Sequence, residues 1–181
     1  MKLDSRTKRS IHRAAAVLPQ VTGGGEWVIV KLVPEGGGCC CFHCWPEAWN
    51  RINQALAPEA QIEDEGDALV RSAQGDCVLE CHESGPEVVV CLAVASAGLA
   101  LAKSVVDLVT TIIKARADGA KKGDRSNRPL ELIVRRIDRD ENLQEKHVLR
   151  IESREAVDRQ IVNEALVKAL EELAEDASPY L

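Results

Sequence analysis

Aromatic side chains are nearly missing from this chain: three Trp, one Tyr and one Phe in 181 residues. Its core must therefore be aliphatic, built from Val, Leu, Ile and Ala. A basic excess is also lacking. The formal charge is −6 with a pI near 5.3, against a generic nucleic-acid binder. The basic N-terminus MKLDSRTKRSIHRAAAVLP has no sustained apolar run and no cleavage motif, so no export signal is expected. G-x-S-x-G, H-E-x-x-H and acid pairs with a positional rationale are absent. The glycine triplets at 23–25 and 36–38 are not phosphate loops, because neither leads into Lys-Ser/Thr and a helix. Ordered catalysis finds no support in these absences.

What the chain does have is 45% hydrophobic and 29% charged residues, the balance of a globular domain. The charge is uneven. Residues 114–136 hold eight basic side chains, while 26–87 and 137–181 are acidic. Complementary surfaces within the fold or between subunits are the simplest use of that segregation.

Element signals suggest an α+β fold. Asp4 or Ser5 suits the cap of a helix to about Leu18, and Gly23–Gly25 breaks the chain. WVIVKLV (27–33) reads as a strand, a glycine turn follows, and CCCFHC (39–44) reads as its returning strand. Pro46-Glu47 suits a helix start, with a short helix to Leu56. Strands are expected over 68–73 and 77–82, then a long apolar helix over 88–117. A third round follows, with strands at 130–137 and 146–151, then a helix over 154–175 capped by Ser153. Its apolar stripe would carry Val157, Ile161, Ala165, Val167, Leu170 and Leu173. This predicts three strand–strand–helix units (26–57, 66–117 and 129–177) in a single domain, 26–181. Residues 1–25 would form a basic helix and glycine linker ahead of it. The two larger helices are expected on one face of antiparallel hairpins.

Residues 88–113 are the most conspicuous segment, about 39 Å if wholly helical and long enough to cross a bilayer. Lys114 and Arg116 follow like cytoplasmic flanks, and Val94, Gly98 and Leu101 belong to its apolar body. Ser96, Lys103, Asp107, Thr110 and Lys114, however, fall on one helical stripe, as on a soluble helix with one wet edge. The segment is thus a core or interface helix, with membrane insertion the competing use. The basic patch Lys114, Arg116, Lys121, Lys122 and Arg125 reads as an exposed connector that could meet phosphate or anionic lipid.

Seven Cys, an odd number at irregular spacings, favour reduced thiols in a cytoplasmic setting over a disulfide framework. Cys41-x-x-Cys44 and Cys77-x-x-x-Cys81 supply two ligand pairs for a zinc ion. On strands Cys41 and Cys44 would face opposite ways, so buried packing competes with metal binding. The functional expectation is a non-enzymatic protein-interaction or assembly module of an intracellular bacterial complex, partnered by protein or by itself and without specific nucleic-acid binding. A membrane-associating effector and a zinc-binding module are the alternatives.

Overall fold

The computed structural model describes residues 2–18, 25–56, 61–64, 67–71, 77–82, 87–94 and 103–175. Along the chain run α1 (Ser5–Val17), β1 (Glu26–Pro34), α2 (Pro46–Ala55), β2 (Gln61–Asp64), β3 (Asp67–Arg71) and β4 (Cys77–His82). β5 (Val88–Val94), α3 (Lys103–Lys122), β6 (Leu130–Ile137), β7 (Leu143–Ile151) and α4 (Arg159–Glu175) complete the order. The seven strands form one sheet in the order β2-β3-β4-β5-β1-β6-β7. Every neighbouring pair is antiparallel.

Strand alternation sends side chains to two faces of unlike character. Val28, Val30 and Leu32 of β1, with Val88, Val90, Leu132 and Val134 from its neighbours, join the cluster that contains the apolar sides of α2, α3 and α4. The other face carries Trp27, Ile29, Val78 and Val89, and among the described residues α1 alone covers it, through Ala14 and Leu18. Between those apolar residues stand charges. Lys31 Nζ donates to Glu87 Oε2 at 2.8 Å, Arg6 pairs with the same carboxylate, and Arg13 pairs with the buried Glu80. Asp4 caps α1 by accepting from Thr7 N–H and Oγ1, and Arg135 reaches both residues. α1 is thus seated on the sheet by ion pairs around a small apolar centre.

The α+β class holds, but the three-unit repeat does not. Among the described residues one strand lies between α1 and α2, four between α2 and α3, and two between α3 and α4. CCCFHC is a turn-rich loop, so β1 has no returning strand beside it in sequence. The largest correction concerns 88–117. Val88–Val94 is not helical but the strand between β4 and β1. Val88 and Val90 face the three helices while Val89 faces α1, and a strand buried on both sides reads as one apolar run. α3 starts at Lys103 and continues to Lys122, through part of the stretch expected to be loop. Among the described residues, no helix is long and apolar enough to cross a membrane. Val94 ends β5 opposite Glu26, whereas Gly98 and Leu101 lie outside the described residues. Asp107 pairs with Arg159 of α4, and Thr110 is buried, its hydroxyl donating to Val106 O. The wet stripe on this helix is therefore narrower than its spacing suggested.

The final helix starts five residues later than expected. Asp158 accepts from Gln160 N–H at its start, and Glu155 accepts from Glu152 N–H in the preceding turn. With that start the buried stripe is Val162, Leu166, Ala169, Leu170 and Leu173, and Ile161 is half exposed.

Candidate metal-thiolate site

The site grows from two loops, 35–45 between β1 and α2 and 123–129 between α3 and β6. Gly36 and Gly37 have φ of 70° and 78°, left-handed values that a side chain would resist, and they turn the chain off the sheet after Pro34. A Cβ on Gly36 would also meet the Arg128 guanidinium at 3.1 Å. The chain then crosses Cys39 and Cys40 and folds into a tight turn at Cys41–Cys44. Cys44 N–H and Trp45 N–H both donate to Cys41 O, at 3.1 and 2.9 Å. Pro46 starts α2 at once, where its missing N–H costs nothing.

The second loop locks the first in place. Trp45 offers no side-chain cap to α2, so Asp124 does it from across the chain, accepting from Glu47 N–H at 3.1 Å and Ala48 N–H at 2.9 Å. Gly119 permits this approach, because a Cβ there would stand 2.2 Å from Asp124 Oδ2. Arg125 N–H donates to Cys44 O at 2.8 Å, and Glu35 N–H to Pro129 O at 2.9 Å. Arg128 donates to Gly36 O at 2.7 Å. Trp49 Nε1 donates to Cys40 O at 2.8 Å, and Phe42 packs on the Trp49 ring with centroids 4.6 Å apart.

Arg116 supports loop 123–129 from below. It is not part of a surface patch but a fully buried cation, donating to Ser126 Oγ, Glu152 O and Arg128 O. Burial lowers its pKa to about 10, against the opposing pull of Glu152. Of the remaining basic residues, Lys114 is exposed on α3, Lys121 lies near Asp118, and Lys122 pairs with Glu47. Lys121 and Lys122 thus face acidic neighbours, and Arg125 lines a cleft.

Three thiols meet on the first loop. The sulfurs of Cys39, Cys41 and Cys44 all lie within 4.8 Å of one another, and Cys39 Sγ is 2.8 Å from Cys41 Sγ. A tetrahedral zinc with Zn–S bonds of ~2.3 Å needs sulfurs about 3.8 Å apart, so the trio is close enough to share an ion once Cys39 and Cys41 move apart by about 1 Å. A metal ion can be held here by these residues. Burial pushes the Cys41 thiol up, but the hydrogen bond from Cys39 and the N–H groups of Cys44 and His43 outweigh it, bringing it to about 7. Cys44 is pushed up to about 12, chiefly by its hydrogen bond with Cys39, then by burial and Cys41. Cys40 also rises to about 12, first by burial and then by the neighbouring thiols. One sulfur of the trio is thus prepared to carry negative charge. The two amides aimed at it are what a metal-bound thiolate uses for outer support.

The expected ligand set is only half assembled. Cys41 and Cys44 come together because they sit on a turn, where residues three apart share a side, and not on a strand. Cys39 is the third member, which the strand reading concealed. Cys77 is buried in β4 and stays outside the group, and the side chain of Cys81 lies outside what is described. The signal in the sequence was the Cys-x-x-Cys ending two residues before a Pro at a helix start, which marks a turn. No fourth His, Cys, Asp or Glu among the described residues joins the three sulfurs.

Against the trio opens a cleft of about 220 Å³, lined by Pro34, Gly37, Gly38, Cys39, Cys44 and Trp45 on one side and by residues 125–128 on the other. No protein-family model matches this chain, and no curated protein and no solved structure matches it.

Proposed function

We propose that this chain is a zinc-thiolate module in which Cys39, Cys41 and Cys44 hold the ion and fix loop 35–45 for a non-enzymatic role in protein interaction. The observation that carries this reading is the convergence of the three sulfurs within 4.8 Å on a loop fastened to a second loop. Zinc suits the donors, being borderline-soft, tetrahedral and without redox chemistry of its own, and three thiolates leave one position for a further ligand. Phe42, 37% exposed beside the trio, gives the ordered loop an apolar contact for a partner. With the apolar run 88–94 in the centre of the sheet, an interaction role draws support from this loop and not from an inserting helix.

Metal analysis of protein purified under reducing conditions tests the zinc assignment. Wild type should carry close to one zinc per chain, and C41S and C44S should each lose most of it while keeping the far-UV spectrum of the fold. A wild-type content near zero after zinc reconstitution would refute the reading. Binding of protein partners should follow the same order, so a partner captured equally by wild type and C41S would separate interaction from metal.

A further inference from the structure

Resting on the zinc-thiolate reading, we infer that the cleft beside the trio binds a small carboxylate-bearing molecule, whose carboxylate completes the metal's fourth position while Arg125 holds its other oxygen. Three observations converge on this. First, the ligand set is short by one among the described residues, and the cleft opens at that set, with Cys39 and Cys44 in its wall. Cys41, buried, is not part of that wall, so the trio presents two of its members to the cleft.

Second, the opposite wall is cationic and lacks an acidic partner. Arg125 is exposed, and among the described residues its guanidinium makes no ion pair, its backbone N–H alone being bound to Cys44 O. Arg128 donates to the carbonyls of Glu35 and Gly36, which orient its guanidinium without neutralising it. Asp124, the nearest acid in sequence, spends both oxygens on the start of α2. Glu35 is taken by Arg150.

Third, charge and size select the ligand. A divalent ion under three thiolates is left one net negative charge. The two guanidiniums convert this to one net positive charge, which a monoanion neutralises and a phosphate dianion overshoots. The volume of about 220 Å³ equals roughly seven water molecules of liquid, below that of drug-sized pockets, so the guest is small. Trp45, buried in the same wall, leaves an apolar surface for the guest's carbon skeleton. A carboxylate fits zinc through one oxygen and a guanidinium through the other, as the spacing of its two oxygens allows.

The test uses the full chain loaded with cobalt(II), whose visible spectrum reports its coordination sphere. Acetate and inorganic phosphate are the probes. Acetate should shift the cobalt bands in a saturable way. R125A, with cobalt content measured, should bind acetate roughly tenfold or more weakly, from loss of one charge-assisted hydrogen bond. R125K should lie between the two. Cobalt that loads but does not respond to acetate overturns this inference alone and leaves the metal reading standing. A response to phosphate without one to acetate overturns the assignment to carboxylates. Acetate that binds by calorimetry with an unchanged spectrum sits on the arginines alone, which also overturns it. A chain that takes up no cobalt at all defeats the metal reading and this inference together.

Discussion

The two faces of the sheet solve the same problem by different means. On one, aliphatic residues from six strands meet three helices and almost nothing polar intrudes. On the other, one helix among the described residues covers Trp27, Ile29, Val78 and Val89, and Lys31, Glu80 and Glu87 are buried or nearly so among them. Apolar burial at about 25 cal/mol per Å² stabilises wherever it occurs. Buried ion pairs must first recover the hydration they lose, so they add little net stability while fixing which helix docks and in what orientation. The first face therefore holds the fold, and the second specifies the seat of α1.

The comparison is broken most severely by removing Arg116, the one buried cation on the apolar side among the described residues. R116M leaves Ser126 Oγ and the carbonyls of Arg128 and Glu152 without their donor. Each such acceptor costs about 1–3 kcal/mol. Chemical denaturation should show a loss of about 4 kcal/mol or more, and R116M should also lower zinc content by loosening loop 123–129. A loss below about 1 kcal/mol would remove Arg116 as the anchor. L132A tests the apolar face directly and should cost about 3 kcal/mol, within the usual range for a buried leucine.

The charged face should respond differently. K31M should cost about 2 kcal/mol by leaving the Glu87 carboxylate partly buried, whereas K31M/E87L should recover most of that loss. If the double variant recovers nothing and stays as weak as K31M alone, the pair stabilises in its own right and the contrast between the faces is smaller than drawn.

The smallest effect should come from D4A, about 1 kcal/mol at neutral pH through the lost cap. Burial alone would raise the Asp4 pKa, but hydrogen bonds from Thr7 and the charges of Arg135 and Lys31 hold it below the ordinary carboxylate value. The sign follows. Stability from a lowered carboxylate is complete above its unfolded pKa of about 3.9 and disappears as pH falls through the folded value. Wild type and D4A should therefore converge in thermal midpoint under strong acid and separate above about pH 4. A constant gap from pH 2 to pH 7 would contradict it.

Much of the scaffold was legible because local and tertiary signals agree. Asp4 before a basic helix, β-branched WVIVKLV, Pro46-Glu47 and LELIVRRI all became the elements they suggest. The long apolar segment was not legible, because Val88–Val94 is covered on both faces and so loses the alternation that marks a strand. β2, four residues with the sequence QIED, carries no apolar pattern at all. Residues 117–122 look like loop by composition, yet Ala117 and Gly119 are buried where α3 meets α2. The candidate site was half visible. Cys41 and Cys44 stood out by spacing, but Cys39 was hidden by a mistaken strand, and Arg116 by the assumption that a basic stretch is solvated. The roles of Asp124 and Arg128 depend on contacts between distant segments and leave no local trace.

That distance has a consequence for synthesis. Asp124 reaches the start of α2 across 77 positions of sequence, and Arg128 reaches Gly36 across 92. At about 5–20 residues per second, a ribosome needs roughly 4–15 s to supply the first of those contacts after Glu47 is made. Throughout that interval the three thiols lie on a nascent segment without the clamp that later orders them. The three thiols are therefore most exposed to oxidation before the chain is finished, and on the proposed zinc-thiolate reading loading becomes a race between translation and the chemistry of the surrounding medium.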